Sequence, residues 1–124
     1  MTRQLSLEEY IDEYKSLPAI CAKTDYADKK SVRRHNATVS RMYKIVEAIK
    51  VFGSNGVEEF SKLLDISEND VNVWVAVQIL EKLSADIATE KKALEVIKQA
   101  ANGNDINAYG LQMWLKQWME KSPQ

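Results

Sequence analysis

With 124 residues, the chain fits one domain around one core. Its 45% hydrophobic and 28% charged residues make it too apolar for a disordered segment, and its formal net charge of -1 sets up no global field toward nucleic acid or a membrane surface. The opening Met1-Thr2-Arg3-Gln4-Leu5-Ser6-Leu7-Glu8-Glu9 lacks the apolar core of a secretion signal, and no apolar run approaches the roughly 18 residues that span a bilayer, so a cytoplasmic chain with no membrane partner is expected.

Breakers are sparse: Gly53, Gly56, Gly103 and Gly110 are the glycines, Pro18 and Pro123 the prolines. Long helices are therefore expected, in a single domain over residues 1–124. Ser6 with Glu9 three positions on has the form of a capping box, and Leu7, Tyr10, Ile11 and Tyr14 follow at helical spacing. Pro18 is expected to kink or end this first helix, because it has no N–H and its ring meets the preceding turn. The stretch from Ala19 to Asp28 carries no clear pattern. A second helix is expected from Lys29 to Phe52, with Val32, Val39, Met42, Tyr43, Val46 and Ile49 as its buried stripe. Lys30, Arg33, Arg34, Arg41 and Lys44 lie on the other side, and Gly53 suits a left-handed C-terminal position.

Gly53-Ser54-Asn55-Gly56 then reads as a turn, and Val57 to Leu64 as a short third helix with Phe60, Leu63 and Leu64 inward. Val71 to Leu83 is rich in β-formers but longer than an ordinary strand. Ser67 and Asp70 offer an N-terminal cap, so it reads as a fourth helix, apolar almost all round and buried centrally. A fifth helix covers Thr89 to Ala101, with Ala93, Leu94, Ile97 and Ala101 on one face. Asn102-Gly103-Asn104-Asp105 stops it. The sixth runs from Asp105 to Lys121 with Tyr109, Leu111, Trp114, Leu115 and Trp118, and Pro123 lies beyond it.

The fourth and sixth helices open alike. Asp70-Val71-Asn72-Val73-Trp74 returns 35 residues later as Asp105-Ile106-Asn107-Ala108-Tyr109, each time after a shorter helix and a polar turn. A period of this length with paired helices is the mark of an α-solenoid, here with 57–83 and 89–121 as HEAT-like pairs. Val71-Asn72-Val73-Trp74-Val75-Ala76, Leu80-Glu81, Ala93-Leu94-Glu95-Val96-Ile97, Tyr109 and Leu115-Lys116-Gln117-Trp118 together resemble a bacterial family of small HEAT-like proteins of unknown function. Relatives in that family are, or sit beside, immunity proteins of contact-dependent growth inhibition and other polymorphic toxin systems. The resemblance covers roughly Leu7 to Trp118, is carried from Val71 onward, and departs at Leu111, where a small residue belongs. It implies a fold and, by association, a protein-binding role; it brings no catalytic motif.

Chemistry-bearing residues read mostly as structure. Cys21 is the only cysteine, so it closes no internal disulfide and builds no thiolate zinc site; it reads as a small buried residue. His35, the only histidine, falls beside Val32 and Val39 and reads as a partly buried, hydrogen-bonded side chain, without a nucleophile motif to serve. Glu8, Glu9 and Asp70 suit helix caps and positive helix ends. No Glu-x-x-His pair, EF-hand or phosphate loop is present, so no catalytic, metal or cofactor site is expected. Between Lys29 and Lys50 seven basic residues face one acid, Glu47, which is the best nucleic-acid feature of the chain. The stripe has no interleaved aromatics, and the acidic first helix is placed to neutralise part of it. Trp74, Trp114 and Trp118 at helical spacing read first as core and second as a binding hot spot.

The expectation is thus a non-enzymatic, all-α domain of about six helices, monomeric when free. Its leading role is an immunity protein that neutralises a cognate toxin domain, such as a basic nuclease. Glu58, Glu59, Asp65, Glu68 and Asp70 form its partner surface, with Arg33, Arg34, Arg41 and Lys44 as the alternative. A helical scaffold or adaptor for another protein is the second reading, and nucleic-acid binding through the second helix the third.

Overall fold

A computed structural model describes residues 5–83, 85–103 and 106–121, with the side chains of all of these but Ile106 and Asn107. It contains six α-helices and, among the described residues, no strand: α1 (Leu7–Ala22), α2 (Lys29–Val51), α3 (Gly53–Ser61), α4 (Val71–Lys82), α5 (Ile87–Ala101) and α6 (Ile106–Lys121). Two short 3-10 turns, Lys62–Asp65 and Glu68–Asp70, lead from α3 into α4. The expected cap at Asp105, the stop signal at Asn104 and Pro123 lie outside the described residues.

The capping box forms as expected. The Glu9 N–H donates to Ser6 Oγ at 3.2 Å, and the Ser6 N–H donates back to Glu9 Oε1 at 2.9 Å. Pro18 does not end α1, which continues to Ala22. The proline removes the donor that the Tyr14 carbonyl would otherwise accept from. Against that local cost, Leu17, Pro18 and Cys21 are all buried, so packing of the last turn holds the helix together. The stretch after it is a polar turn: Asp25 Oδ1 accepts from the Ala27 N–H at 3.0 Å, and Asp28 Oδ1 caps α2 by accepting from Lys30 N–H at 3.0 Å.

Helix α2 buries Thr38, Met42, Ile45, Val46 and Ile49. This stripe is turned one flank away from the expected one. Ile45 enters the core, while Tyr43 stands 46% exposed and Val32 and Val39 are half-buried. Val39 packs at the margin of the core, and His35 and Tyr43 on this flank line a cleft.

Gly53 takes the left-handed conformation, φ +68°, as its position suggests. The segment after it departs from the expected turn: Gly53 to Gly56 is the first turn of α3 rather than a loop, and Lys62–Asp65 is a separate 3-10 turn. The two helices abut because Gly56 lies directly against the Ile49 carbonyl oxygen, where a Cβ would collide. The segment Val71 to Lys82 is helical despite its β-branched composition. Asp70, however, makes no side-chain cap; it sits at φ 60°, next to Asn69 at φ 53°. The Asn72 N–H is satisfied instead by the Ile66 carbonyl at 2.8 Å.

One buried cluster joins every helix before α6. Tyr14 and Leu17 meet Met42, Ile45, Val46 and Ile49, Phe60, the pair Leu63 and Leu64, then Val75, Ala76 and Ile79 of α4 and Ala93 and Ile97 of α5. The rings of Tyr14 and Phe60 meet edge to face with centroids 4.9 Å apart. Helix α4 is central, packing on α5 and touching α1, α2 and α3. Helix α5 starts at Ile87, two residues before the expected Thr89, because Asp86 Oδ1 caps it by accepting from Thr89 N–H at 2.7 Å. Helix α6 packs chiefly on α5 and adds Leu111, Trp114 and Leu115, each half-buried against the cluster. No helix among the described residues is long and apolar enough to cross a membrane.

Candidate functional site

A cleft of about 510 Å³ opens where the C-terminal turn of α1, the cleft-facing flank of α2, the Glu68–Asp70 turn, α4 and the start of α6 converge. Its volume lies within the usual range for ligand sites, roughly 300–1,000 Å³. Pro18 and Cys21 form its α1 wall; Val73, Trp74, Val77 and Gln78 its α4 wall; Leu111 closes it from α6. Tyr26 and Tyr43 stand at its edge, exposed by 73% and 46%. His35 Nδ1 lies 3.0 Å from Thr24 Oγ1, and the Tyr26 ring is tilted toward the imidazole at a centroid distance of 5.8 Å.

Two features of this cleft depart from a merely structural surface. Behind the cleft wall, Gln78 is only 2% exposed, and its Oε1, closed off from solvent, accepts no hydrogen bond. A buried acceptor without a donor costs about 1–3 kcal/mol, so such groups are rare. Second, Asn69 and Asp70 line the cleft in consecutive left-handed conformations. Asn and Asp tolerate that region better than other side chains, but at a cost that glycine would not incur.

Of the five acidic residues expected to form a partner surface, the structure places Asp70 alone in the cleft wall. Glu59 pairs with Lys62 within α3 and its following turn, and Asp65 Oδ1 accepts from Lys92 Nζ at 2.7 Å, tying the 3-10 turn to α5. Glu58, Glu68 and Asp70 are exposed and form no salt bridge among the described residues. The basic set is divided too. Arg41 makes a two-pronged pair with Glu13, Nε to Oε2 at 2.6 Å and Nη2 to Oε1 at 2.7 Å, clasping α1 to α2. That contact holds the Glu13 carboxyl below its ordinary range. Arg33, Arg34 and Lys44 remain on the exposed side of α2.

Cys21 is buried, and burial pushes its thiol pKa up, away from reactivity. Trp74 is half-buried, one side on the core and the other on the cleft. Trp114 donates its Nε1–H to Glu81 Oε1 at 2.8 Å and stacks on Trp118 with centroids 6.1 Å apart. Among the described residues no three His, Cys, Asp or Glu side chains group to hold a metal ion. Sequence patterns do not single out Tyr26, Tyr43, Asn69 or Gln78 as site residues. The one available signal is a glutamine amid the apolar run Val71 to Leu80, a polar group entering a core.

No protein-family model matches the chain, and no curated protein or solved structure matches it.

Proposed function

We propose that this chain is a HEAT-like helical domain of the bacterial cytoplasm that works by binding a protein, in the role of an immunity protein against a cognate toxin domain. In this reading α4 with the preceding helix, and α5 with α6, are two stacked repeats; the two copies of the repeated motif place Val71 and Ile106 alike at the first position of a helix. The reading needs no active site: a rigid helical surface burying about 800 Å² of a partner is enough to cover the partner's own site.

The observation that supports it most directly is the trio Glu58, Glu68 and Asp70. Glu58 stands exposed on α3, and Glu68 and Asp70 on the turn that enters α4, without internal ion pairs among the described residues. Carboxylates not committed to the fold are available to steer a basic partner. Glu59 and Asp65, being paired, are expected at the rim. Co-expression with the toxin domain of the neighbouring reading frame tests the role. Protection and a complex stable to gel filtration are expected, with association slowing as salt rises. Reversing Glu58, Glu68 and Asp70 together is expected to abolish protection. No protection by the native chain would overturn the immunity role. Protection that survives the reversal moves the contact to the exposed face of α2 with Arg33, Arg34 and Lys44.

A further inference from the structure

We propose that the exposed face of α2 binds single-stranded nucleic acid, its cations holding phosphates while the tyrosines beside them stack on bases. The inference goes beyond the immunity role and does not depend on it. Lys29, Arg33, Asn36, Ser40 and Lys44 recur at helical spacing, so they form one outward line on α2, and all five are exposed. Lys30 and Arg34 flank that line and are exposed as well. No acidic residue occurs between Lys29 and Lys44.

The fold makes little use of these cations. Arg41 alone in this stretch has an ion pair among the described residues, with Glu13; the other lysines and arginines from Lys29 to Lys44 have none. The nearest carboxylates are occupied elsewhere. Asp25 Oδ1 accepts from the Ala27 N–H, Asp28 Oδ1 from the Lys30 N–H, and Glu47 pairs with Lys50. Lys29 with Arg33, and Lys30 with Arg34, are like charges four residues apart, an arrangement that weakens a helix rather than supporting it. Such a face suits a polyanion, whose phosphates it neutralises with release of their counterions.

Charge alone fits any polyanion, and the rings narrow the choice. Tyr43, expected in the buried stripe, turns outward beside Lys44 and is 46% exposed. Tyr26 stands in the turn before α2, 73% exposed, its ring tilted toward His35 at 5.8 Å. Both rings line the cleft along the flank next to the cationic line. Cations in a row with rings along one edge are what an unpaired strand needs: backbone on the charges, bases on the ring faces. A duplex keeps its bases stacked on one another and has no free base face to offer. From Lys29 to Lys44 the helix rises about 22 Å, the length of about six stacked nucleotides.

Fluorescence anisotropy with the intact chain tests the proposal. The probes are end-labelled oligothymidylate and oligouridylate of about twelve nucleotides and a duplex of equal length, with inorganic polyphosphate as competitor. A dissociation constant of about 10 μM or tighter is expected for at least one single strand at about 50 mM salt. Its logarithm should change with that of salt at a slope of magnitude about 2 to 3.5, for roughly three to five phosphates neutralised. The duplex and the polyphosphate should bind more weakly by about tenfold or more. Preference between the two strands assigns DNA or RNA, and equal binding assigns a surface that reads only what they share. Arg33→Glu combined with Lys44→Glu should weaken binding by about tenfold or more, while Lys91→Glu on α5 leaves it unchanged. Tyr43→Ala should weaken binding by about fivefold or more and Tyr43→Phe should not, because the ring stacks and the hydroxyl does not. None of these side chains is buried, so each variant should melt close to the native chain. Single-strand binding weaker than about 10 μM, or full binding by the charge-reversed variant, would overturn the proposal. Duplex or polyphosphate binding as tight as the single strand, or full binding by Tyr43→Ala, would overturn it too, leaving a face open to any polyanion, an acidic protein among them.

Discussion

The contact between Glu13 and Arg41 shows how one side-chain pair changes the meaning of a charged stripe. Along the sequence, Arg41 belongs with Arg33, Arg34 and Lys44 as a basic face. In the fold it is turned toward α1 and committed to a carboxylate. Because both partners stay partly in water, the pair contributes about 0.5–1 kcal/mol, not the value of a buried bridge. Its hydrogen bonds from Arg41 hold the folded-state pKa of Glu13 below its ordinary 4.5. A depressed carboxyl contributes stability above its unfolded pKa and loses it as pH falls through the folded one. Urea melts of the native chain and Glu13→Gln should therefore differ at pH 7. The difference should shrink to nothing as acid protonates Glu13, in the range below about 4.5. A difference that persists unchanged in acid would mean that packing of the Arg41 stem, rather than charge, is what the substitution disturbs. His35 and Cys21 are legible from sequence at this scale, since a lone histidine flanked by valines and a lone cysteine have few roles. Gln78 is not, because burial of a glutamine is decided by neighbours that come from elsewhere in the chain.

Among the elements, the junction of α2 and α3 is the least expected. Two glycines separated by a serine and an asparagine ordinarily make a loop. Here Gly53 supplies the positive φ and Gly56 supplies the close approach, so one helix ends and the next begins without a spacer. Gly56→Ala places a methyl group against the Ile49 carbonyl, a backbone atom that cannot step aside. It is expected to cost about 1–3 kcal/mol in thermal or urea unfolding, despite alanine's better helix propensity. A gain in stability would show that α3 can shift away from α2 freely. Helix α1 teaches the reverse lesson: of the kink or end expected at Pro18, the end does not occur, because Leu17, Pro18 and Cys21 are buried and the helix runs on to Ala22. In α4 the length of the apolar run outweighs its β-propensity, and the segment is helical as its pattern predicts. The turn before it is less legible: it puts Asn69 and Asp70 in left-handed conformations instead of a side-chain cap.

At the scale of the whole molecule, the first five helices share one core and α6 leans on its outside. Tyr109, Met113 and Met119 of α6 are exposed, at 64%, 43% and 49%, and its contacts to the cluster are half-buried. Hydrogen exchange should accordingly find amides of α6 opening at lower free energy than those of α2 and α4, which approach the global value. Equal protection throughout would mean that α6 is an integral part of one cooperative unit. The sequence by itself was enough for the all-helical class, for the helix count and for most of the helix starts, because caps and 3.6-residue periodicity are local properties of the chain. It also sufficed for most of the core, since Met42, Val46, Ile49, Phe60 and Ile97 lie where periodicity puts them. Only the tertiary structure decided which flank of α2 faces a neighbour and which faces a cleft. It also decided which charges are spent on one another. Those outcomes depend on distances between residues far apart in the chain, such as Glu13 with Arg41 or Asp65 with Lys92. No pattern along one helix encodes them, because the partner that satisfies or leaves a side chain unsatisfied is supplied by the packing of another.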